Sequence, residues 1–345
     1  LEKIFTALSF DDVLLTPKFS DIKTRKSISI ESCMGISTFD IPIISSPMDT
    51  VTEESMVNEM QKLGGLGILH RYNTIEEQVR IASLFKNPER SAVAIGVTGD
   101  FIERAKSLYE VGVRILCLDV AHGHHENVKN ALKKLRRLFS RDVHLMAGNV
   151  ATLDAFNDLS DWGADSVRVG VGGGSICSTR IQTGHGIPTL QSVMDCSKSD
   201  KNTIIIADGG IKNSGDACKA LAAGADFVML GSMLSGTDET PGDFIDRRTI
   251  GSTGVSHDKF KVYRGMASKE AQESWRSSFS SVEGISTVVK AKGPVSDIVN
   301  ALCWGIKSGL SYSGASNLVE FRAKSTFIRQ TNAGMKESST HIINS

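Results

Sequence analysis

The chain has 345 residues, with 39 Lys+Arg against 39 Asp+Glu and a formal charge of zero. That length fits about two average domains, or one α/β barrel of roughly 250 residues with additions, and either buries a full core without staples. The neutral balance excludes a partner held mainly through a nucleic-acid backbone, and six cysteines without a CxxC pair exclude a disulfide framework or a zinc ribbon.

The opening residues 1–15 carry acidic side chains and no small-residue cleavage site, so no signal peptide is expected. No apolar run reaches the ~18 residues of a membrane span. A cytoplasmic protein with neither nucleic-acid nor membrane partners is the expectation. Residues 1–40 read as an N-terminal arm. From there, β-rich apolar runs alternate with helical patterns: 41–47, 66–70, 91–97, 115–120, 144–150, 166–171, 203–210 and 227–232. Near-continuous apolar strands belong to a parallel sheet covered on both faces. Segments between them, such as 101–112 and 214–224, keep helical spacing and close on Gly. Eight such units predict an α/β fold, a (β/α)8 TIM barrel, with a doubly wound open sheet as the alternative. Residues 1–345 read as one catalytic domain: barrel strands within 41–232, a mobile flap over about 236–290, and a C-terminal segment 291–345.

Polar and glycine residues follow the strands: Asp49, Asp119, Asn149, the Gly170–Cys177 loop, Asp208-Gly209-Gly210 and Gly231-Ser232. In a barrel these share the C-terminal rim, where active sites are built. The glycines of the Gly170–Arg180 loop free its backbone to face a ligand or ion. Cys177 is the natural nucleophile there, and Thr179 places a hydroxyl beside it. The other five cysteines read as small buried hydrophobes. The turns at Asp208-Gly-Gly and Gly231-Ser232 form a phosphate corner, where exposed N–H groups complement an anion and Asp208 can hold a ribose diol. Tight strand-to-helix turns needing Gly are the structural alternative. The glycine run is not a Rossmann fingerprint, because the β–α units are too many and too regular. His122, His124 and His125 lack zinc spacing and read as rim or cofactor contacts.

These residues resemble the IMP dehydrogenase/GMP reductase family over essentially the whole chain. The resemblance rests on Leu8–Leu15 (LSFDDVLL), Ser46–Thr52 (SPMDTVT), Ala147–Thr152 (AGNVAT), Gly172–Arg180 (GGGSICSTR), Ile206–Gly210 (IADGG), Tyr263–Met266 (YRGM) and Glu337–His341 (ESSTH). It implies a tetrameric barrel acting on GMP or IMP at C2. Cys177 would form a thioimidate, with Thr179 and Glu283 as further catalytic residues. Ser175, Asp208, Gly209, Gly210, Gly231, Ser232 and Tyr263 would hold the ribose phosphate. Gly265, Met266 and Glu283 would meet the base, and Arg264 and Gly284 would also bind the substrate. Asp119, Val120, Ala121, Asn149, Gly170 and Arg71 would line the nicotinamide side. Gly172, Gly174 and Cys177 resemble a backbone-carbonyl site for potassium or another monovalent cation, joined by the tail near Glu337 of a neighbouring subunit.

The family's two activities differ in the second half-reaction. The dehydrogenase hydrolyses the thioimidate with an Arg-Tyr pair on its flap; the reductase needs no water. Of four tyrosines (Tyr72, Tyr109, Tyr263, Tyr312) none lies among the 16 residues 267–282, and the nearest fragment is Trp275-Arg276-Ser-Ser-Phe279. NADPH-dependent GMP reductase is therefore expected, with NAD-dependent IMP dehydrogenase as the alternative. The alternative draws on Ser46-Pro-Met-Asp49, Gly334-Met-Lys-Glu337, and Arg71 where many reductases carry Lys. Only about 20 residues separate the second and third strands, which leaves no room for the inserted nucleotide-binding regulatory pair common in dehydrogenases.

Overall fold

The apolar runs pair in the order in which they occur. The computed structural model describes residues 4–35, 37–251, 254–275 and 282–338. Its barrel strands are β1 (Ile43–Ser45), β2 (Leu66–Leu69), β3 (Ala92–Ile95), β4 (Ile115–Asp119), β5 (His144–Val150), β6 (Ser166–Val169), β7 (Ile204–Asp208) and β8 (Phe227–Leu230). Each is parallel to the next, and β8 returns to β1 through Val228–Ile43 and Leu230–Ser45, so the sheet closes. The (β/α)8 barrel holds, and the open sheet does not.

Alternate strand residues face opposite sides. Ile44, Leu66, Ile68, Ala94, Cys117, Met146, Ile206 and Met229 fill the interior. Ile43, Val93, Leu116, Leu145, Val167, Ile205 and Val228 pack outward against the helices. Among those helices, Glu126–Phe139 buries Val128, Ala131, Leu132, Leu135 and Phe139 at helical spacing. Thr74, Thr152 and Asn213 start three others by accepting a backbone N–H with the side chain.

The N-terminal arm is more than an extension. Its strands Ser32–Met34 and Ser37–Phe39 pair antiparallel, and Met34 and Phe39 join the interior cluster. Phe39 meets Phe227 edge-on at 5.9 Å. A fully buried aromatic of this kind is worth about 2–3 kcal/mol. The plug seals the barrel's N-terminal end, so its concave opening lies on the opposite rim. A third arm strand, Val13–Leu15, pairs with Phe327–Arg329 and ties the arm to the C-terminal segment.

The span read as a flap contains regular structure. Strands β9 (Ile245–Gly251), β10 (Gly254–Arg264) and β11 (Ser286–Lys290) form an antiparallel sheet with β10 central. A short helix, Lys269–Trp275, lies between β10 and β11. Between β2 and β3 there is only the helix Ile75–Ala82 and a single turn at Pro88–Arg90. Among the described residues no helix is long and apolar enough to cross a membrane.

Candidate active site

A cavity of 630 Å3 opens on the rim at the C-terminal ends of the strands. The loop after β6 enters it through Gly170, whose φ is +147°. A Cβ there would lie 1.9 Å from the Asp208 carbonyl oxygen, so only glycine fits. The loop then turns back: Cys177 N–H donates to Gly174 O at 3.2 Å. Beyond that turn it is sewn to the segment before β11. Ser178 N–H donates to Glu283 O (2.9 Å) and Ile285 N–H to Ile176 O (3.1 Å), around a bridge between Cys177 and Gly284.

This stitching brings three reactive side chains together. Cys177 Sγ donates to Thr179 Oγ1 at 3.2 Å, and Thr179 Oγ1 donates to Glu283 Oε2 at 2.9 Å. A hydroxyl that accepts from a thiol while donating to a carboxylate is a proton path from sulfur to carboxylate. Elsewhere burial pushes the Cys117, Cys196 and Cys218 thiols up to about 12 and that of Cys303 to about 11. Those four stay protonated and inert. Cys33 departs from the sequence reading, being exposed on the arm hairpin.

The opposite wall is organised by a residue that sequence reasoning missed. Arg168, in the middle of β6 and 7% exposed, points inward. Its Nη1 bonds Asp119 Oδ1 at 2.5 Å, and its Nη2 and Nε reach Asp208 Oδ2 at 3.0 and 3.3 Å. Burial opposes its charge, yet Asp208, Cys117 and Asp119 raise its pKa still further. Asn149 Nδ2 donates to the same Asp208 Oδ2 and to Gly170 O, both at 2.8 Å. All three contacts fall on Oδ2, which leaves Oδ1 for a ligand. The available signal was a lone Arg in an otherwise apolar strand.

Asp119 also meets Arg71, whose Nε donates to Asp119 O at 3.2 Å and lies 3.7 Å from its Oδ2. The Arg71 guanidinium sits 4.8 Å over the Tyr72 ring and 5.9 Å over Trp275. Those two rings are 4.4 Å apart. Tyr72, Trp275 and Gln272 line the cavity and were not anticipated. Val120 and Ala121 line the same side.

At the far end, Gly209, Gly210, Gly231, Ser232, Ser175 and Tyr263 line one corner. Tyr263, 4% exposed, has its phenol pKa raised by burial, and its hydroxyl bonds Ser175 and Ser232. A Cβ at Gly231 would come within 3.1 Å of Ser46 Oγ and 3.2 Å of the Tyr263 hydroxyl, a fit tight enough that these side chains would have to shift. Ser46 Oγ is buried at this corner without a protein partner. A buried hydroxyl in that state is costly unless a ligand or water satisfies it.

Gly265 and Met266 line the cavity, but Arg264 and Gly284, expected among the substrate-binding residues, do not. Arg264 turns away to pair with Asp49 at 2.5 Å, and Gly284 serves through its backbone bridge to Cys177. Gly172, Gly174 and Cys177, expected to hold a monovalent cation, all line the cavity, with Gly174 O already accepting from Cys177 N–H. Among the described residues no group of three His, Cys, Asp or Glu could hold a metal. His124 pairs with Asp158 (2.7 Å) and stacks on Trp162. His125 caps the helix Glu126–Phe139. Burial, then the neighbouring histidines, lower the His122 pKa. Of the expected flap fragment, Arg276 to Phe279 lies outside the described residues, as do the last positions of the tail.

A TIM barrel whose catalytic rim carries a cysteine linked through a hydroxyl to a carboxylate is a nucleophile-bearing barrel enzyme. The model of the IMP dehydrogenase / GMP reductase domain matches residues 7–341, and the chain belongs to that family of purine-nucleotide oxidoreductases. It is 37% identical to the inosine-5'-monophosphate dehydrogenase of Cryptosporidium parvum, over 99% of this chain and 96% of that protein. It is 33% identical to the one of Nitrosopumilus maritimus, over 97% and 98%. It is 30% identical to the GMP reductase of Leishmania major, over 97% of each. Among solved structures, GMP reductase from Trypanosoma brucei in complex with guanosine 5'-monophosphate superposes with a TM-score of 0.90 at 30% identity, covering 99% of both chains.

Proposed function

We propose that this protein is an NADPH-dependent GMP reductase, converting GMP, NADPH and a proton to IMP, ammonia and NADP+, and that it works as a cytoplasmic homotetramer. The observation that carries the reading is the absence of any tyrosine among residues 267–282, where a water-activating Arg-Tyr pair would have to stand. Positioned general bases contribute roughly 10²–10⁴-fold, so hydrolysis without one is slow. The likeness to the Trypanosoma brucei reductase supports the same direction.

In this reading Asp208 Oδ1 accepts from the ribose hydroxyls, while Ser46, Ser175, Ser232 and Tyr263 turn hydroxyls toward the phosphate. Met266 covers the base and brings C2 beside Cys177. The Cys177 sulfur bonds to C2 as its proton moves to Thr179 and the Thr179 proton moves to Glu283. The C2–N2 bond breaks, and the amino group leaves as ammonia with the proton returned along the same path. A dinucleotide held on the Arg71–Asp119 side would supply hydride to C2. Cleavage of the C2–S bond then releases IMP and leaves Cys177 as a thiolate, which regains its thiol by taking up the one proton that the reaction consumes. Arg168 holds Asp119 and Asp208 in place throughout, a preorganised arrangement of charge. The Gly172, Gly174 and Cys177 carbonyls would hold potassium, fixing the shape of the cysteine loop.

Ser46-Pro-Met-Asp49 and the dehydrogenase names among the relatives favour the second reading, NAD-dependent oxidation of IMP to XMP. One assay separates them. Purified protein with GMP and NADPH should consume reduced nicotinamide and release ammonia in equal amounts. Turnover only with IMP and an oxidised dinucleotide, yielding XMP, overturns the reductase reading.

A further inference from the structure

Arg264 stands beside two cavity residues yet does not line the cavity. Its fork grips Asp49 in the loop after β1: Nη2 to Oδ2 at 2.5 Å, and Nε to Oδ2 and Oδ1 at 3.0 and 3.3 Å. The two side chains are only 22% and 11% exposed. The same guanidinium reaches the helix Lys269–Trp275 at two turns, with Nη1 on Glu270 O (3.3 Å) and Nη2 on Ser274 Oγ (3.2 Å). Backbone contacts reinforce the junction. Arg264 N–H donates to Thr50 Oγ1 at 3.2 Å, and Asp49 N–H points at Met266 Sδ at 3.4 Å. One planar cation thus joins the barrel, β10 and the helix that carries Gln272 and Trp275 into the cavity.

A bidentate pair fixes orientation as well as distance, which a lysine ammonium cannot do. Partly buried pairs add little net stability compared with apolar replacements; their use is to select one geometry. Here the selected geometry is that of the helix whose Trp275 ring packs on Tyr72, at the Arg71–Asp119 side.

We propose that Asp49 and Arg264 are a positioning dyad that sets the dinucleotide side of the cavity by holding the helix Lys269–Trp275, touching neither ligand. The inference rests on the reading that a nicotinamide dinucleotide occupies the Arg71–Trp275 side.

The test uses the full chain. NADPH is titrated while tryptophan emission is followed, with Trp275→Phe identifying the share that belongs to Trp275. GMP affinity and Tm are measured alongside. In the double variant Asp49→Asn/Arg264→Met the dyad predicts a dissociation constant for NADPH raised about tenfold or more and loss of the Trp275 signal, since misplacements of about 1 Å carry costs of up to 10²-fold. GMP affinity should stay within about threefold and Tm close to the parent. Arg264→Lys, which keeps the charge and loses the fork, should show the same split more weakly, so a poorly folded double variant leaves the question answerable. Unchanged NADPH binding in Arg264→Lys, or equal weakening of GMP and NADPH, overturns the dyad. A parent protein that binds no nicotinamide dinucleotide overturns the reading of the cavity, and the dyad with it; a parent that binds while the variants bind equally well overturns the dyad alone.

Discussion

Thr179 and Glu283 are 104 residues apart in the chain and 2.9 Å apart in space. Their meeting depends on backbone bonds between the cysteine loop and the segment before β11. A proton path of this kind makes a specific demand. Glu283→Gln keeps the shape and the hydrogen bond while removing the proton acceptor. Turnover should fall by roughly 10²–10⁴-fold, with GMP affinity within a few-fold of the parent by equilibrium binding. A variant that loses affinity and keeps turnover would assign Glu283 to holding the base. Cys177 and Asp208 were legible because each sits in a local pattern, a glycine loop or an Asp-Gly-Gly turn after a strand. Glu283 was reachable only through family resemblance, having no local pattern of its own. Arg168 was missed for a different reason. In sequence it interrupts an apolar strand, and only the closure of the barrel shows that its side chain reaches two carboxylates, at the ends of β4 and β7. Arg264 was expected to bind substrate through the family resemblance, yet its side chain pairs with Asp49 instead of lining the cavity.

The eight barrel strands could be read from composition because strands buried on both faces must be apolar nearly throughout. The sheet β9–β11 could not. Its strands are rich in Ser, Thr, Lys and Arg, and the span shows neither a sustained apolar run nor a hairpin turn such as Asn-Gly. The arm hairpin was hidden likewise, as two three-residue strands whose role is to plug the barrel. At the start of β5, His144 makes a separate prediction. Its Nε2 meets Ser166 Oγ at 2.8 Å. Burial, opposed by Asp165 and assisted by Arg136, lowers its pKa from 6.5 to about 4. Between those values the unfolded chain takes up a proton that the folded chain refuses. Stability therefore rises with pH across this window and is lost as pH falls from 6.5 toward 4, by an amount on the order of 2–3 kcal/mol at most. Urea midpoints measured from pH 7 to 4 should fall less steeply in His144→Gln than in the parent. Parallel profiles would show that His144 does not carry this dependence.

At the scale of the whole molecule, the zero net charge concealed what matters. It argued against a polyanion partner, but a nucleotide monophosphate needs only one corner of neutral donors, and the cavity supplies hydroxyls and turn N–H groups there. The described residues form a closed barrel with an arm, a three-stranded sheet and a C-terminal segment. The alignment with the Nitrosopumilus maritimus relative spans 476 positions, more than this chain contains, so that relative carries insertions absent here. Within the barrel every feature of the site converges on one sulfur atom. The most direct measurement compares Cys177→Ala with the parent for both turnover and nucleotide binding. Covalent attack at C2 predicts that the variant binds GMP within a few-fold of the parent while turnover falls by at least about 10³-fold, the scale on which lost nucleophiles register. Turnover within tenfold of the parent, in either direction of the reaction, would contradict the account.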